Sequence, residues 1–295
     1  MNEQGQTENP DVVRVLTNLD LHMQVLDFAE SVRPLPATVV RLASLVADET
    51  VELEHVDAVL REDPAVVADL LHEANSAASA PVNPILTSRA ALTRLGLARV
   101  LAIAVSYGMG NQTQSPLEAY QLPSGALQAH MTKSSYVAEA IRSLSPGIAG
   151  PEVVTAALLH HVGQLVLDKF LDPGFLTLAL EHGLPIVEAE RELSEVDHAE
   201  LGAVMLEAWD IPLQITEAVR YHHEPELSEN MDAYIVCVAS LVADEIGHPE
   251  LERTEANSEL FARSIEALGI EESKLYDRAS TMLDRAGLLG GGPEA

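Results

Sequence analysis

The chain has one cysteine, three lysines (Lys133, Lys169 and Lys274) and no long uncharged apolar run in its 295 residues. One cysteine excludes an internal disulfide and any cysteine-based zinc knuckle. Cys237 lies in the apolar run Tyr234-Ile-Val-Cys-Val-Ala239 and reads as a small core residue. Lysine and arginine together number 17 against 46 acidic residues, a formal charge of −29. Such a field repels phosphate backbones, and no basic stripe stands against it, so no nucleic-acid partner is expected. An acid-rich, lysine-poor surface reads as a solubility device, with a salty cytoplasm as the other reading. No uncharged stretch reaches membrane-spanning length. Met1 to Pro10 is polar without a charged-then-apolar signal pattern, so the expectation is a cytoplasmic protein with no membrane contact. What is present is ordinary for a globular chain: 47% apolar and 21% charged residues, enough for one large or two modest domains.

Periodicity along the chain predicts helices and no strand. Residues 1–10 are expected as a disordered tail. Apolar positions from Val12 to Phe28 fit an amphipathic helix over 11–31, which Pro34 and Pro36 end. Further helices are predicted at about 37–47, 52–60 and 64–75, the last opened by the cap-and-proline pair Asp63-Pro64. The small-residue, proline-bearing stretch Ala77 to Pro84 reads as a loop, with Asn75 as its helix-end cap or, alternatively, a pocket residue. A helix from Ser88 stops at Gly96 and a nearly all-apolar one follows over 97–107. Gly108 to Pro116 is a polar break and the chosen subdomain boundary. Beyond it, helices are predicted at about 123–143, 151–169, 174–182, 185–194, 197–209, 212–223, 229–246, 257–267 and 271–287. Trp209, the only tryptophan, is expected in the core, and Glu188 to Glu195 as a solvated helix face. The division is a tail (1–10), an N-terminal helical subdomain (11–115), a helical subdomain carrying the histidines (116–250), C-terminal helices (251–288) and a tail (289–295).

Seven of the eleven histidines fall between positions 130 and 223. His182 precedes Gly183 at a predicted helix end and reads as a cap. The other six are His130, His160, His161, His198, His222 and His223, spread over separate helices except for the two adjacent pairs. Helices that each present an inward histidine can build a metal site in an all-α core, and hydrogen-bonded core histidines would show the same spacing. His160 and His161 lie inside the apolar run Thr155 to Lys169. Neighbours on a helix point about 100° apart, so at most one should sit at the centre of a buried face.

A series of motifs runs in one order from about Val32 to Pro225: Leu35-Pro-Ala-Thr-Val-Val-Arg-Leu42, Glu62-Asp-Pro-Ala65, Leu70-Leu-His-Glu-Ala-Asn-Ser-Ala77, Asn83-Pro-Ile85 with Leu95-Gly96, Ala156-Ala-Leu-Leu-His-His-Val-Gly-Gln-Leu165, Asp197-His-Ala-Glu-Leu-Gly202 and Ala218-Val-Arg-Tyr-His-His-Glu-Pro225. In these motifs, about two thirds of the chain, it resembles the HDOD domain, a relative of the HD and HD-GYP metal-dependent phosphohydrolases. The resemblance implies an all-α, HD-like multi-helix bundle with an N-terminal helical subdomain. In the catalytic relatives histidines and aspartates hold one to three metal ions that activate water. His130 matches their first histidine, His160 the first member of the His-Asp doublet, His198 the third motif, and His222-His223 the late pair. The doublet's aspartate is His161 here, and a neutral imidazole with one free lone pair cannot bridge two metals as a carboxylate does. Gln164 stands where the catalytic motif has lysine. The terminal aspartate falls near Ser240, with Asp244 one helical turn on as a partial stand-in. After Glu224 the chain reads Pro225-Glu-Leu-Ser228, without the Gly-Tyr-Pro segment of the cyclic-dinucleotide hydrolases.

These departures imply a non-catalytic regulatory module that works through signalling-protein partners, alone or in trans, with homo-oligomers allowed. No cofactor is expected, unless the six histidines keep one divalent zinc, iron or nickel ion. The alternatives are an HD-type phosphohydrolase of altered ligation and a sensor that binds a nucleotide or similar anion in the vacated pocket. The terminal helices lie outside the motifs and read as caps on the core or as a dimer surface.

Overall fold

The computed structural model describes residues 10–48, 50–76, 81–110, 112–182, 184–246 and 253–289. The elements in order are α1 (Pro10–Ser31), α2 (Ala37–Val46), α3 (Leu53–Leu60), α4 (Pro64–Ala74), α5 (Ser88–Met109), α6 (Ala126–Leu144), α7 (Val153–Leu159) and α8 (Gln164–Leu167). Then come α9 (Pro173–Glu181), α10 (Ile186–Ser194), α11 (His198–Ala208), α12 (Leu213–Arg220), a 3₁₀ turn (Pro225–Leu227), α13 (Asp232–Glu245), α14 (Glu255–Leu268) and α15 (Glu272–Arg285). Among the described residues there is no strand, only an isolated bridge between Leu117 and Leu122. The all-α class read from the periodicity is the class observed.

Local chemistry starts and stops these helices as the sequence indicates. The Asp63 carboxylate accepts from the amides of Ala65 (3.1 Å) and Val66 (3.3 Å), with Pro64 in the first turn of α4. Val66, Leu70 and Ala74 then recur every four residues and bury one stripe of that helix. Asn75 closes it. Its Nδ2 donates to Leu71 O and Ile85 O, and its Oδ1 accepts from the Ile85 amide, all within 2.8 Å. It is therefore a cap that also orders the returning loop. Gly96, at φ +79°, breaks α5 into the two segments expected, a backbone state that a side chain would strain.

The helix α13 is buried nearly all round, from Ala233 to Ser240, and forms the centre. It packs along α6, with α7 and α12 beside it, while α14 covers α13 and α15 covers α6. Cys237 is 2% exposed there, a core residue as read. At the amino-terminal end α2, α3 and α4 gather on α5, which reaches α7. The first helix lies against α8, α10 and α11, with Phe28 edge-on to Phe170 at 5.5 Å. Trp209 is buried and donates its indole N–H to Val32 O at 3.2 Å, in keeping with a core role.

Two boundaries differ from the sequence reading. Pro10, placed in the tail, begins α1, and the remaining tail positions 1–9 and 290–295 lie outside the described residues. The apolar run 155–169 is not one helix: α7 ends at Leu159, and 3₁₀-type bonds such as Val162 N–H to Leu159 O (2.9 Å) and Gln164 N–H to His161 O (3.0 Å) tighten the chain before α8. α5 has the length and apolar character to cross a bilayer, but Gly96 breaks it and it packs against α2, α3, α4 and α7.

Candidate metal centre

The six histidines converge. His130 comes from α6, His160 and His161 from the turn after α7, His198 from the first position of α11, and His222 and His223 from the turn after α12. One nitrogen each from His161, His198, His222 and His223 form a group within 4.8 Å of one another, and His130, His160 and His161 form a second. His161 belongs to both. Its ring stacks on His130 (centroids 4.8 Å, 12°) and lies 3.8 Å from that of His160. Both members of the adjacent pair therefore face the centre. The 100° argument does not apply because the chain leaves the helix at Leu159.

Close approach of two backbones makes that turn possible. A Cβ on Gly163 would fall inside the van der Waals envelope of the His198 carbonyl oxygen and 2.7 Å from the Gly202 amide nitrogen. Glycine at 163 lets the doublet turn rest on the first turn of α11, bringing His160, His161 and His198 together. The motif spacing contains this glycine, but only the packing gives it a reason.

Four of the rings are oriented by acceptors that leave one tautomer. His160 Nδ1 donates to Ala157 O at 2.8 Å and His222 Nδ1 to Val219 O at 2.6 Å. His198 Nδ1 meets the Glu190 carboxylate at 2.7 Å, and His130 Nδ1 lies 2.9 Å from Asp244 Oδ1. Carbonyl and carboxylate oxygens only accept, so in the neutral rings the Nδ1 atoms carry the protons and the Nε2 atoms are lone pairs. Those lone pairs crowd each other. His130 Nε2 is 3.2 Å from His160 Nε2, the His198 Nε2 lone pair is met by His223 Nε2 at 3.0 Å, and the buried His222 Nε2 has no hydrogen-bond partner among the described residues. Ser240 Oγ lies 3.1 Å from His160 Nε2 and 3.4 Å from His130 Nε2, and its single proton can serve only one of them. Ligand bonds of 2.0–2.1 Å in a tetrahedral site put donor atoms about 3.3 Å apart. Each group, of four and of three imidazoles with His161 in common, fits one transition-metal ion.

Burial sets the charge state. It drives His160, His161 and His223 well below the ordinary imidazole value and His222 down to about 3, and the neighbouring histidines push the same way. His198 is the exception. Burial opposes its charge too, but the charge and hydrogen bond of Glu190 outweigh this and raise its pKa.

Glu190 is the residue that sequence reasoning missed, and the reading of 188–195 as a solvated face is corrected here. Glu188 and Glu192 are exposed, whereas Glu190 is fully buried. It also accepts the His198 amide (2.9 Å) and the Tyr120 hydroxyl (2.7 Å), so three donors surround it. Burial, then Glu190 itself, lifts the Tyr120 pKa well above its usual value, which keeps that donor protonated. The signal was available: Val187, Glu190 and Ser194 share one buried stripe at helical spacing. Asp244 is likewise an orienting group on the outer nitrogen of His130, and both histidine groups contain no carboxylate. Gln164 is buried in α8 and belongs to neither group. His182 donates to Leu178 O at 2.8 Å, a helix cap as read.

A cavity of about 710 Å³ opens beside the cluster. Its floor includes His161, His222 and His223, and its far wall is the first turns of α14.

A histidine-centred all-α bundle of this kind is the architecture of the HD-like proteins, and the comparisons agree. The HDOD domain model matches residues 32–225, and the chain belongs to that family. Among solved structures, it is similar to an HDOD domain protein of unknown function from Geobacter sulfurreducens, at TM-score 0.64 and 22% identity, covering 93% of this chain and 98% of that one. It is also similar to a candidate phosphohydrolase from Shewanella amazonensis SB2B, at TM-score 0.65 and 20% identity over 92% and 98% of the two chains. A candidate signal transduction protein from Marinobacter aquaeolei VT8 matches at TM-score 0.63 and 18% identity, over 93% of this chain and 66% of that one. In sequence, an uncharacterised protein of Treponema pallidum (strain Nichols) is 26% identical over 228 residues, 74% of this chain, which spans 43% of that relative's length.

Proposed function

We propose that this chain is a regulatory HDOD protein whose HD-derived core holds one transition-metal ion on imidazole ligands and does not run two-metal phosphoester hydrolysis. The observation that carries this reading is the anchoring of four Nδ1 atoms on acceptors, which leaves the Nε2 lone pairs of His198 and His222 in one histidine group and those of His130 and His160 in the other. Outer acceptors of this kind hold and tune metal-binding histidines. The ligand set suits zinc, iron or nickel. His161 in place of the doublet aspartate removes the bridging oxygen pair that would hold two ions, and Ser240 removes the terminal carboxylate. The bound ion would act as a Lewis acid or a ligand anchor. The name of the Marinobacter neighbour, a candidate signal transduction protein, supports a signalling role; its exercise through protein partners is part of the proposal.

The test is elemental analysis of protein purified without an affinity tag, beside the His160→Ala and His222→Ala variants. Near-stoichiometric metal in the parent and its loss from both variants is expected, with no turnover of bis(4-nitrophenyl) phosphate. Metal-free parent protein would overturn the metal reading. Turnover that disappears in the same variants would restore the hydrolase.

A further inference from the structure

The cavity beside the histidines has a lining that selects its ligand. Leu184, Ile186 and Val187 at the start of α10 face Leu241 of α13 and Leu260 of α14, so the walls are mainly apolar. Among the described residues the charged side chains of the lining are all carboxylates, Asp244, Glu255 and Glu259, with no lysine or arginine. On the floor, the buried His222 Nε2 is an acceptor without a partner. From this we infer that the cavity binds a small molecule with a mainly apolar body, no phosphate group, and one nitrogen or hydroxyl head directed at the histidine floor. The inference rests on the reading of that floor as a ligand-accepting centre.

The magnitudes favour this class over the nucleotide that the sequence left open. Phosphate recognition uses paired N–H donors from arginine, or lysine charge, and neither lines this cavity. The amino-terminal turn of α14 does face the cavity, but a helix end is worth about half a positive charge, and Glu255 already sits in that turn. A divalent ion on the floor would add two charges, so even together they fall short of three carboxylates. Burying an apolar body against the leucine walls contributes about 25 cal/mol per Å², and a phosphate gains nothing from those walls. Position also matters. Leu241, Asp244, Glu255, Glu259 and Leu260 lie beyond residue 225, outside the segment that the family model matches. The cavity's three carboxylates and part of its apolar wall are therefore supplied from outside that segment.

The experiment is calorimetric titration of the whole protein, of measured metal content, with 4-phenylimidazole and separately with adenosine monophosphate. Binding of 4-phenylimidazole is expected, weakened at least tenfold by Leu241→Asp, with no detectable binding of the nucleotide. The exposed pair Glu255→Lys/Glu259→Lys should bring nucleotide binding into the detectable range, a gain that a misfolded protein would not show. Tighter binding of the nucleotide than of 4-phenylimidazole to the parent, no binding of 4-phenylimidazole, undiminished 4-phenylimidazole binding in Leu241→Asp, or no nucleotide binding in the double variant would overturn the inference. Metal content keeps the two readings apart. Probe binding to metal-free protein sinks the metal alone, and metal without probe binding sinks the ligand class alone.

Discussion

A single carboxylate organises the buried end of the histidine cluster. Glu190 accepts from the ring and amide of His198 and from Tyr120, so three donors satisfy its buried carboxylate oxygens. Glu190→Gln keeps the shape and removes the charge. His198 then loses the interaction that raises its pKa, and NMR titration should place it lower than in the parent. Metal affinity, measured by competition with a chelator, should fall about tenfold or more, the usual effect of losing an outer partner of a metal-binding histidine. Unchanged affinity would mean that the ring is held by packing alone.

The decisive piece at the scale of elements is the turn between α7 and α8. A run that reads as one apolar helix is divided because Gly163 must lie against α11, and this division turns both histidines inward. Gly163→Ala forces the two backbones apart. Overpacking of this kind costs about 1–3 kcal/mol, and here backbone rather than a flexible side chain must yield, so the upper end is expected. Urea unfolding would measure it, and a loss under 0.5 kcal/mol would show that the turn can move. The elements α14 and α15, open between capping and dimerisation in the sequence, lie on α13 and α6. Arg253, just before α14, joins them: it hydrogen-bonds Glu245 of α13 and Tyr276 of α15 and lies over the Phe261 ring.

For the whole molecule the histidine core makes stability depend on pH. His160, His161, His222 and His223 have folded pKa values below the ordinary 6.5, because burial and then neighbouring imidazoles oppose their charge. The unfolded chain takes up protons near pH 6.5 that the fold refuses, so stability is present above that value and lost as pH falls. His198 has the opposite sign: its raised pKa stabilises below 6.5, and that contribution fades as pH rises through its folded value. Below pH 6.5 the His198 contribution is constant, so the slope there is that of the four lowered groups, each worth about 1.4 kcal/mol per pH unit where it titrates. The melting temperature should fall steeply between pH 6.5 and 5. A flat or rising profile would contradict the neutral assignment of these rings.

What the sequence determined by itself is local. Helix periodicity outside the run 155–169, the Asp63-Pro64 start, the Asn75 cap and the Gly96 break depend on neighbours within a few residues, and these appear in the fold where they were read. The six candidate histidines were legible too, because their order along the chain carries the family pattern. What only the tertiary structure decided is which partners those histidines meet. Glu190 sits in an acid-rich helix that looks solvated, and it becomes an anchor only because α10 lays that stripe against α11. Likewise His161 faces the centre from a turn that rests on α11 through Gly163, where a side chain would clash with the His198 carbonyl oxygen. Contacts between distant elements follow from packing, and no local pattern encodes a packing partner.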